Sequence, residues 1–233
     1  MRDIWKVRRV SEYAKEILAI LYCRWRVRER DFTIVSNNCW GADVYPALGI
    51  PYQTPFVGLF LWPDCYLRLL SDFRNAIRSS LVFKQDSKYE EINRMRASGA
   101  SWLHCPIGCL GDQIEIHFFH YQSEAEAKAK WERRVARIML NDDRLFVRFC
   151  SRDRPSPEQL AEFDALPFEH KVCFVGRPVP SLKSAVCIPT IDNSVRVPPN
   201  LHEHLLRNRH FDIADWLSRG TGKPRGVYRI LAR

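Results

Sequence analysis

The sequence predicts a layered α/β fold, with an at least partly parallel sheet, helices on both faces and an amphipathic helix at the N-terminus. Short β-branched runs alternate along the chain with segments whose apolar residues recur at helical spacing. Strands that alternate with helices tend to pair in parallel, because each helix carries the chain back across the sheet. With 233 residues, 46% of them hydrophobic, the chain can bury a substantial core, which excludes a wholly disordered protein.

Composition also limits where the protein works. The longest apolar runs, 17–23 and 56–62, are much shorter than the roughly 18 residues of a membrane-spanning helix. The polar segment 11–16 interrupts what would be the apolar centre of a signal peptide. The eight cysteines lie mostly inside apolar stretches, as buried reduced thiols do. We therefore expect a cytoplasmic protein.

Residues 1–30 form the first predicted unit, a basic amphipathic helix. Its apolar side chains recur at helical spacing and include three aromatic rings: Tyr13, Ile17, Leu18, Leu21, Tyr22 and Trp25. We favour docking of this wide stripe on the core. The alternative is that the helix lies on the surface of an anionic membrane, at its inner face.

Residues 31–200 form the predicted α/β core, and residues 201–233 a basic, helical C-terminal extension packed on it. The first strand covers 32–36 and is followed by a polar turn and a helix over 42–48. Pro63 begins a helix that continues to Ile77. The other predicted strands are 80–83, 101–104, 113–118, 144–150, 172–175 and 185–188, and the other helices are 123–139, 158–166, 201–207 and 211–217.

The net charge of +9 is unevenly distributed. Residues 1–30 hold nine Lys or Arg against four Asp or Glu, and residues 151–233 hold thirteen against nine. Basic ends favour anionic partners such as phospholipid headgroups or sugar phosphates, although many basic proteins have no polyanionic partner. No nucleic-acid-binding motif occurs, so we predict no specific nucleic acid partner.

The polar turn after the first strand is the first candidate site: Ser36, Asn37, Asn38, Cys39, Trp40 and Gly41. In open α/β sheets ligands bind beyond the carboxyl ends of the strands, where a helix N-terminus offers N–H donors to phosphate. The turn therefore predicts a binding site for a phosphorylated donor. Alternatively, the two asparagines only cap the helix while Trp40 packs. Cys39 is either a thiolate nucleophile at the helix start or, as we favour, a small buried side chain.

Two histidines and two acids form the second candidate site. The pattern of 113–118 places Glu115 and His117 together on one face of a strand. We predict that His117 or His120 is a general base for an acceptor hydroxyl, with Glu115 orienting the imidazole and Asp112 as a helper carboxylate. The alternative is structural: His117 pairs with a neighbouring carboxylate, and Asp112 shapes a turn.

Basic and metal-ligating residues give weaker signals. Arg133 and Arg134 on the helix over 123–139 can grip phosphate bidentately, or belong to a solvated face supported by a Glu126–Lys130 pair. Cysteines and histidines between 104 and 120 have the chemistry of zinc ligands, but their spacing matches no zinc site. No Asp-x-Asp triplet occurs. We predict no dedicated metal site, and a divalent cation held by other carboxylates stays open.

Several of these segments occur together and in order: 36–41, 48–52, 54–60, 115–118, His120-Tyr121 and 130–134. Together they resemble a bacterial family catalogued as domain of unknown function 1919 and often labelled exopolysaccharide or capsular polysaccharide biosynthesis protein. The resemblance implies a glycosyl or related group transferase in surface polysaccharide biosynthesis. Its partners would be a sugar-phosphate or nucleotide-sugar donor and a glycan acceptor. The alternative is a non-catalytic accessory subunit that recruits glycan enzymes to the membrane surface.

Overall fold

The computed structural model describes residues 2–99, 104–189 and 205–232 and confirms the α/β prediction. The strands are β1 (Thr33–Ser36), β2 (Leu81–Lys84), β3 (Ile107–Leu110), β4 (Ile114–His117), β5 (Leu145–Cys150), β6 (His170–Val175) and β7 (Ala185–Cys187). The α-helices are α1 (Arg2–Arg26), α2 (Val44–Leu48), α3 (Pro63–Ser71), α4 (Phe73–Ala76), α5 (Glu90–Ala97), α6 (Glu124–Val135), α7 (Pro157–Ala165), α8 (Ile213–Arg219) and α9 (Tyr228–Leu231).

Strands β1, β5, β6 and β7 lie side by side in that order in a parallel sheet. Successive side chains point to opposite faces, so Val147 and Phe149 of β5 enter one core while Phe146 and Cys150 enter the other. The first core also receives side chains from α3, α6 and α7, and the second from α1, α2 and α8. Helices thus cover both faces, as predicted, and the sheet is buried between them.

A separate antiparallel sheet contains β2, β3 and β4. The sequence predicted β2 and β4 but predicted neither strand β3 nor helix α5. Of the strand predicted over 101–104, residues 101–103 lie outside the described residues, and His104 is in no strand. Strand β3 requires glycine at position 108, because a Cβ there would lie 2.6 Å from Leu81 Cδ1 across the sheet.

Several predicted helices are shorter in the structure. The helix from Pro63 breaks at Asp72, whose backbone (φ −137°, ψ 50°) is not helical, and α4 continues the same buried face. Helix α6 begins after Ser123, whose hydroxyl accepts a hydrogen bond from Glu126 N, but ends at Val135 instead of 139. The predicted helix over 201–207 is a 3-10 turn at Leu205–Arg207, and its first four residues lie outside the described part.

Helix α1 docks on the core, but not through the predicted stripe. Ala19, Cys23 and Val27, four residues apart, form the buried side, each only 1% exposed. Their small size lets the helix approach the second core closely. The predicted stripe is largely exposed, with the following exposed fractions: Tyr13 70%, Ile17 40%, Leu18 51%, Leu21 54% and Trp25 65%. Docking of the stripe is therefore wrong. Across residues 2–99, 104–189 and 205–232, no helix combines the length and apolar character that crossing a membrane requires.

Candidate functional site

The turns after β1 and β5 lie together at the carboxyl edge of the parallel sheet. The strands are in register with Ser36 beside Arg148, so the turn at 37–41 meets the turn at 151–154. The side-chain amides of Asn37 and Asn38 each donate a hydrogen bond to Asp153 Oδ2 at 2.9 Å. The predicted polar turn is therefore fastened to residues 115 positions further along the chain. This edge is where ligands of open α/β sheets bind.

Arg148 is the central side chain of this edge, and it is completely buried. Its guanidinium carbon lies 5.3 Å from the ring centres of both Trp40 and Phe174. Nη1 donates to Asn38 Oδ1 at 3.0 Å, whereas Nε and Nη2 have no hydrogen-bond partner. No described carboxylate forms an ion pair with Arg148. A buried cation with unsatisfied donors costs free energy unless a ligand satisfies it.

Other polar groups of the same turns also lack partners. They are Asn37 Oδ1, Ser151 Oγ and Arg152 Nη1, all of them buried atoms. The one acid within the turn at 151–154 is Asp153, whose side chain is 7% exposed and lies 4.0 Å from Arg152 Nε. Two arginines against one carboxylate leave this edge with a net positive charge. The arrangement suits an oxyanion, since guanidinium groups bind phosphate or carboxylate through paired N–H donors.

The turn after β5 carries an unusual backbone conformation. Arg154 has φ 58°, and it is the one non-glycine residue with positive φ among the described residues. This left-handed conformation costs an L-residue about 1 to 2 kcal/mol. Such outliers concentrate where a site needs a fixed or a movable turn.

The helix that follows the first turn does not provide the predicted phosphate donors. Cys39–Gly41 is a 3-10 turn, and α2 has only five residues. Asn38 Oδ1 accepts a hydrogen bond from Trp40 N at 3.0 Å, and Trp40 is buried against Phe174. This matches the alternative in which an asparagine caps and Trp40 packs. Asn38 has a further role, because the same oxygen accepts from Arg148.

The remaining residues of the first turn have structural contacts. Cys39 Sγ donates to Leu59 O at 3.6 Å, and burial raises the pKa of the Cys39 thiol. This favours a neutral thiol over the nucleophilic thiolate. Gly41 is required, because a Cβ would lie 2.5 Å from Ile34 Cγ2. Ser36 Oγ donates to the carbonyl of Asn38 and so closes the turn.

His117 and Glu115 form a buried pair. His117 Nε2 lies 2.8 Å from Glu115 Oε1, an ion-pair distance without the direction of a hydrogen bond. Glu115 Oε1 accepts from Ser87 Oγ at 2.5 Å, and Lys88 N donates to Oε2 at 2.7 Å. Burial alone would raise the pKa of Glu115, but the contacts with His117, Ser87 and Lys88 N outweigh it and lower that pKa. Both faces of β4 are buried. This arrangement agrees with the structural alternative for His117, and its catalytic role stays a prediction.

The structure separates the other two residues of the second candidate site. His120 is exposed, and its N donates to Gly58 O at 3.0 Å. Asp112 is exposed in the hairpin turn between β3 and β4, at the opposite end of β4 from His117. Five residues of extended chain span roughly 16 Å. Asp112 is therefore not brought together with the histidines.

Segment 57–61 connects the two candidate sites. Phe60 and His117 exchange backbone hydrogen bonds at 2.8 and 2.9 Å, and the next residue, Leu61, donates to Asn37 O at 2.8 Å. The asparagine turn and the histidine strand therefore contact the same short segment. Their side chains, however, are buried rather than exposed in a common cavity, since Asn37 and His117 are at most 1% exposed.

Arg133 and Arg134 point to different environments. Arg133 is exposed. Arg134 is buried, donates through Nη1 to Tyr121 Oη at 2.5 Å and stacks on Tyr52 at 4.9 Å. Arg134 therefore does not belong to a solvated basic face. The ion pair between Lys130 and Glu126, at 2.5 Å, supports the solvated interpretation for the exposed members of that face.

Sequence reasoning missed the residues that define the carboxyl edge: Arg148, Ser151, Arg152 and Asp153. A signal was present, because one arginine interrupts the apolar run of 145–150. In a strand buried on both faces a charged side chain needs a specific reason. As to metals, no three His, Cys, Asp or Glu side chains of the described residues come together as a metal site.

The fold and this edge define an α/β protein with a buried, partly unpaired arginine centre beside a polar turn. A family model described as "Domain of unknown function (DUF1919)" matches residues 10–218. The chain belongs to this family. An "Uncharacterized protein" of Haemophilus influenzae is 36% identical over 163 residues, which cover 70% of this chain and 70% of that relative.

Proposed function

We propose that the protein is a transferase that binds a phosphorylated or nucleotide-linked donor at the carboxyl edge of the parallel sheet. One observation carries the proposal: Arg148 is completely buried there with two guanidinium nitrogens unpaired. A phosphate oxygen would satisfy both donors and neutralise the charge. Arg152 Nη1 and Ser151 Oγ supply further donors to the same anion.

Access to Arg148 requires movement of the turn at 151–154. This turn is the outer wall of the centre, since Ser151 is partly exposed, the Arg152 side chain is 14% exposed and Arg154 is exposed. The positive φ of Arg154 stores strain that an opened turn would release. Donor binding and turn movement are therefore coupled in this proposal.

His120 is the residue we assign to the acceptor. It is exposed, unlike His117, and it lies against segment 57–61, which also contacts the asparagine turn. In the transfer step the acceptor oxygen bonds to the sugar carbon of the donor, the bond from that carbon to phosphate breaks, and the phosphate leaves with the electron pair. His120 takes the acceptor proton. Asp112 is too distant to assist.

The resemblance stated from the sequence supports a sugar donor and a glycan acceptor in bacterial surface polysaccharide synthesis. A divalent cation could accompany a diphosphate donor, and Asp153, at the same edge, is a carboxylate that could hold it. In this proposal the transferase acts in the cytoplasm.

Thermal denaturation with a panel of nucleotide sugars, nucleoside diphosphates and sugar phosphates tests the donor site. A ligand that binds only the native state raises the melting temperature. We expect an increase for the wild-type chain that is lost in Arg152→Gln and kept in Arg74→Gln. Arg74 is a matched control, because it is an exposed arginine paired with an exposed Asp142. If no member of the panel shifts the wild-type melting temperature, the donor site is refuted.

A second candidate function is a non-catalytic subunit that attaches glycan enzymes to the inner face of the membrane. The exposed apolar side chains of α1 favour it. In cells, His120→Ala and Arg152→Gln would leave surface polysaccharide unchanged if this function is correct, and would abolish it if the protein is the transferase.

A further inference from the structure

Exposed apolar side chains are concentrated in one region of the molecule. Seven of the eight large apolar side chains exposed in the described residues belong to α1, to α9 or to the residue just before α9: Tyr13, Ile17, Leu18, Leu21, Trp25, Val227 and Ile230. The eighth, Val82, lies on β2. Single exposed apolar residues are ordinary, but a contiguous set marks a surface that contacts another apolar phase.

These residues lie on one side of the molecule. Helix α1 buries Ala19, Cys23 and Val27, and at 100° per residue Leu18, Leu21 and Trp25 point away from that side. Tyr22 contacts Tyr228 with ring centres 5.5 Å apart, which places α9 alongside α1. Val227 and Ile230 therefore extend the exposed area that α1 begins. We call these seven residues the apolar face.

Basic side chains flank the apolar face at two places. Arg28 on the α1 side and Lys223, Arg225 and Arg229 on the α9 side are exposed. Residues 223–233 contain four basic residues and no acidic one, and residues 1–30 carry five more basic than acidic residues. The combination of an apolar stripe with basic flanks is that of helices that lie in the interface of anionic membranes.

A cavity next to the apolar face adds to this pattern. Its volume is about 670 Å³, and Trp25 stands at its wall together with four arginines, Arg26, Arg28, Arg144 and Arg219, and two acids, Glu29 and Asp143. Arg26 and Arg219 share Asp215, and Arg144 contacts Glu29, whereas no described acid pairs with Arg28. A lipid phosphate at the membrane surface would meet this basic wall when Trp25 enters the interface.

We propose that the apolar face docks on a bilayer that contains anionic phospholipids, with its aromatic and aliphatic side chains in the interface and the flanking arginines at the headgroups. A second copy of the chain fits less well. A two-fold contact through this face would bring the same basic residues of two copies together, and like charges across an interface oppose association. The proposal does not depend on the Arg148 site.

Vesicle sedimentation with the full chain tests this docking. We expect the wild-type protein to sediment with vesicles of phosphatidylcholine mixed with phosphatidylglycerol, to bind pure phosphatidylcholine weakly, and to dissociate as salt is raised. Leu21→Ser with Trp25→Ala should lower the partition coefficient about tenfold or more. Both side chains are exposed, so the melting temperature of the double variant should stay close to the wild-type value.

Val82→Ser is the matched control, since Val82 is equally exposed (57%) but belongs to β2. It should bind vesicles as the wild type does. Arg225→Glu with Arg229→Glu should abolish the preference for anionic vesicles, whereas Arg74→Glu should not. Docking is refuted if wild-type protein ignores anionic vesicles or if Val82→Ser weakens binding as much as the double variant. A concentration-dependent dimer that Leu21→Ser with Trp25→Ala dissociates would assign the face to a second copy and also refute it.

Discussion

Arg148 Nη1 lies 3.0 Å from Asn38 Oδ1, and this is the one hydrogen bond that the guanidinium makes to a described residue. A guanidinium carries five N–H donors, so one acceptor leaves most of them unsatisfied. The contacts with the rings of Trp40 and Phe174, which also touch each other, compensate the charge only in part. Keeping such a group completely buried lowers the stability of the fold at this position. Binding sites commonly show this trade-off between stability and function.

The first prediction is that Arg148→Met stabilises the ligand-free protein and removes anion binding. Methionine packs against the same two aromatic rings without a buried charge, so we expect the free energy of unfolding to rise by about 1 to 3 kcal/mol. Urea denaturation measures it, and thermal denaturation with the donor panel measures the lost ligand response. Arg134→Met is the matched control: Arg134 is also buried and stacked on a ring, but one of its buried guanidinium nitrogens lacks a partner against two in Arg148, so its loss should destabilise. Equal destabilisation by both variants would make Arg148 a structural residue.

The second prediction concerns Glu115 and pH. Its pKa is lowered in the folded protein, so the unfolded chain binds more protons at acid pH, and stability rises with pH through that range. The contribution of Glu115 is present above its unfolded pKa of about 4.3 and is lost as pH falls through the lower folded value. Glu115→Gln should therefore cost about 1 to 3 kcal/mol at neutral pH and progressively less below about pH 4.

Urea denaturation of wild type and Glu115→Gln at a series of pH values checks this dependence. Glu126→Gln serves as a control, because Glu126 also has a lowered pKa, through Lys130, but lies on the surface. Its removal should change stability little at any pH, since solvent screens the pair. A cost of Glu115→Gln that stays constant down to pH 3 would contradict the prediction.

The sequence predicted the parallel sheet well because its signals are local. The runs of β1, β5, β6 and β7 are apolar and β-branched, and the helices between them carry capping serines such as Ser123 and Ser156. The sequence did not predict strand β3, because Gly108 and Cys109 are not residue types that are common in strands. The close contact of Gly108 with Leu81 across the sheet accounts for the glycine. The predicted docking of the apolar stripe of α1 was wrong, because periodicity identifies the apolar side of a helix but does not show what covers it.

The candidate site was predicted in part for a similar reason. Asn37 and Asn38 were identified from their place after a strand, but their partner Asp153 is 115 residues away from Asn38 and cannot be inferred from spacing. Glu115 and His117 were correctly placed side by side. Their burial was not predicted, because it depends on Ser87 and on aromatic residues from other segments.

The third prediction separates the two histidines. His120→Ala should leave the melting temperature within the error of measurement, because the side chain is exposed, and should reduce transfer by about 100-fold, the lower range for loss of a general base. His117→Ala should instead lower the melting temperature, because it leaves Glu115 without its buried partner. The measurements are thermal denaturation and turnover of the donor that raises the wild-type melting temperature. Full activity of His120→Ala would exclude His120 as the base.

The fourth prediction tests segment 57–61, which joins the asparagine turn to the histidine strand. Gly58 has φ 71°, and a Cβ would lie 3.0 Å from Tyr121 Cε2 and 3.1 Å from His120 Cβ. Gly58→Ala must therefore strain the backbone and displace both side chains, at a cost of about 1 to 3 kcal/mol in the free energy of unfolding measured with urea. Gly99→Ala, with φ 87° and no atom within 4 Å of the added Cβ, isolates the backbone part of this cost. If the two variants lose equal stability, the close contacts of Gly58 with Tyr121 and His120 add nothing to the cost of the substitution. A larger loss at Gly58, accompanied by weaker donor binding, would mean that displacing this segment also displaces Asn37, through the hydrogen bond from Leu61 N to Asn37 O.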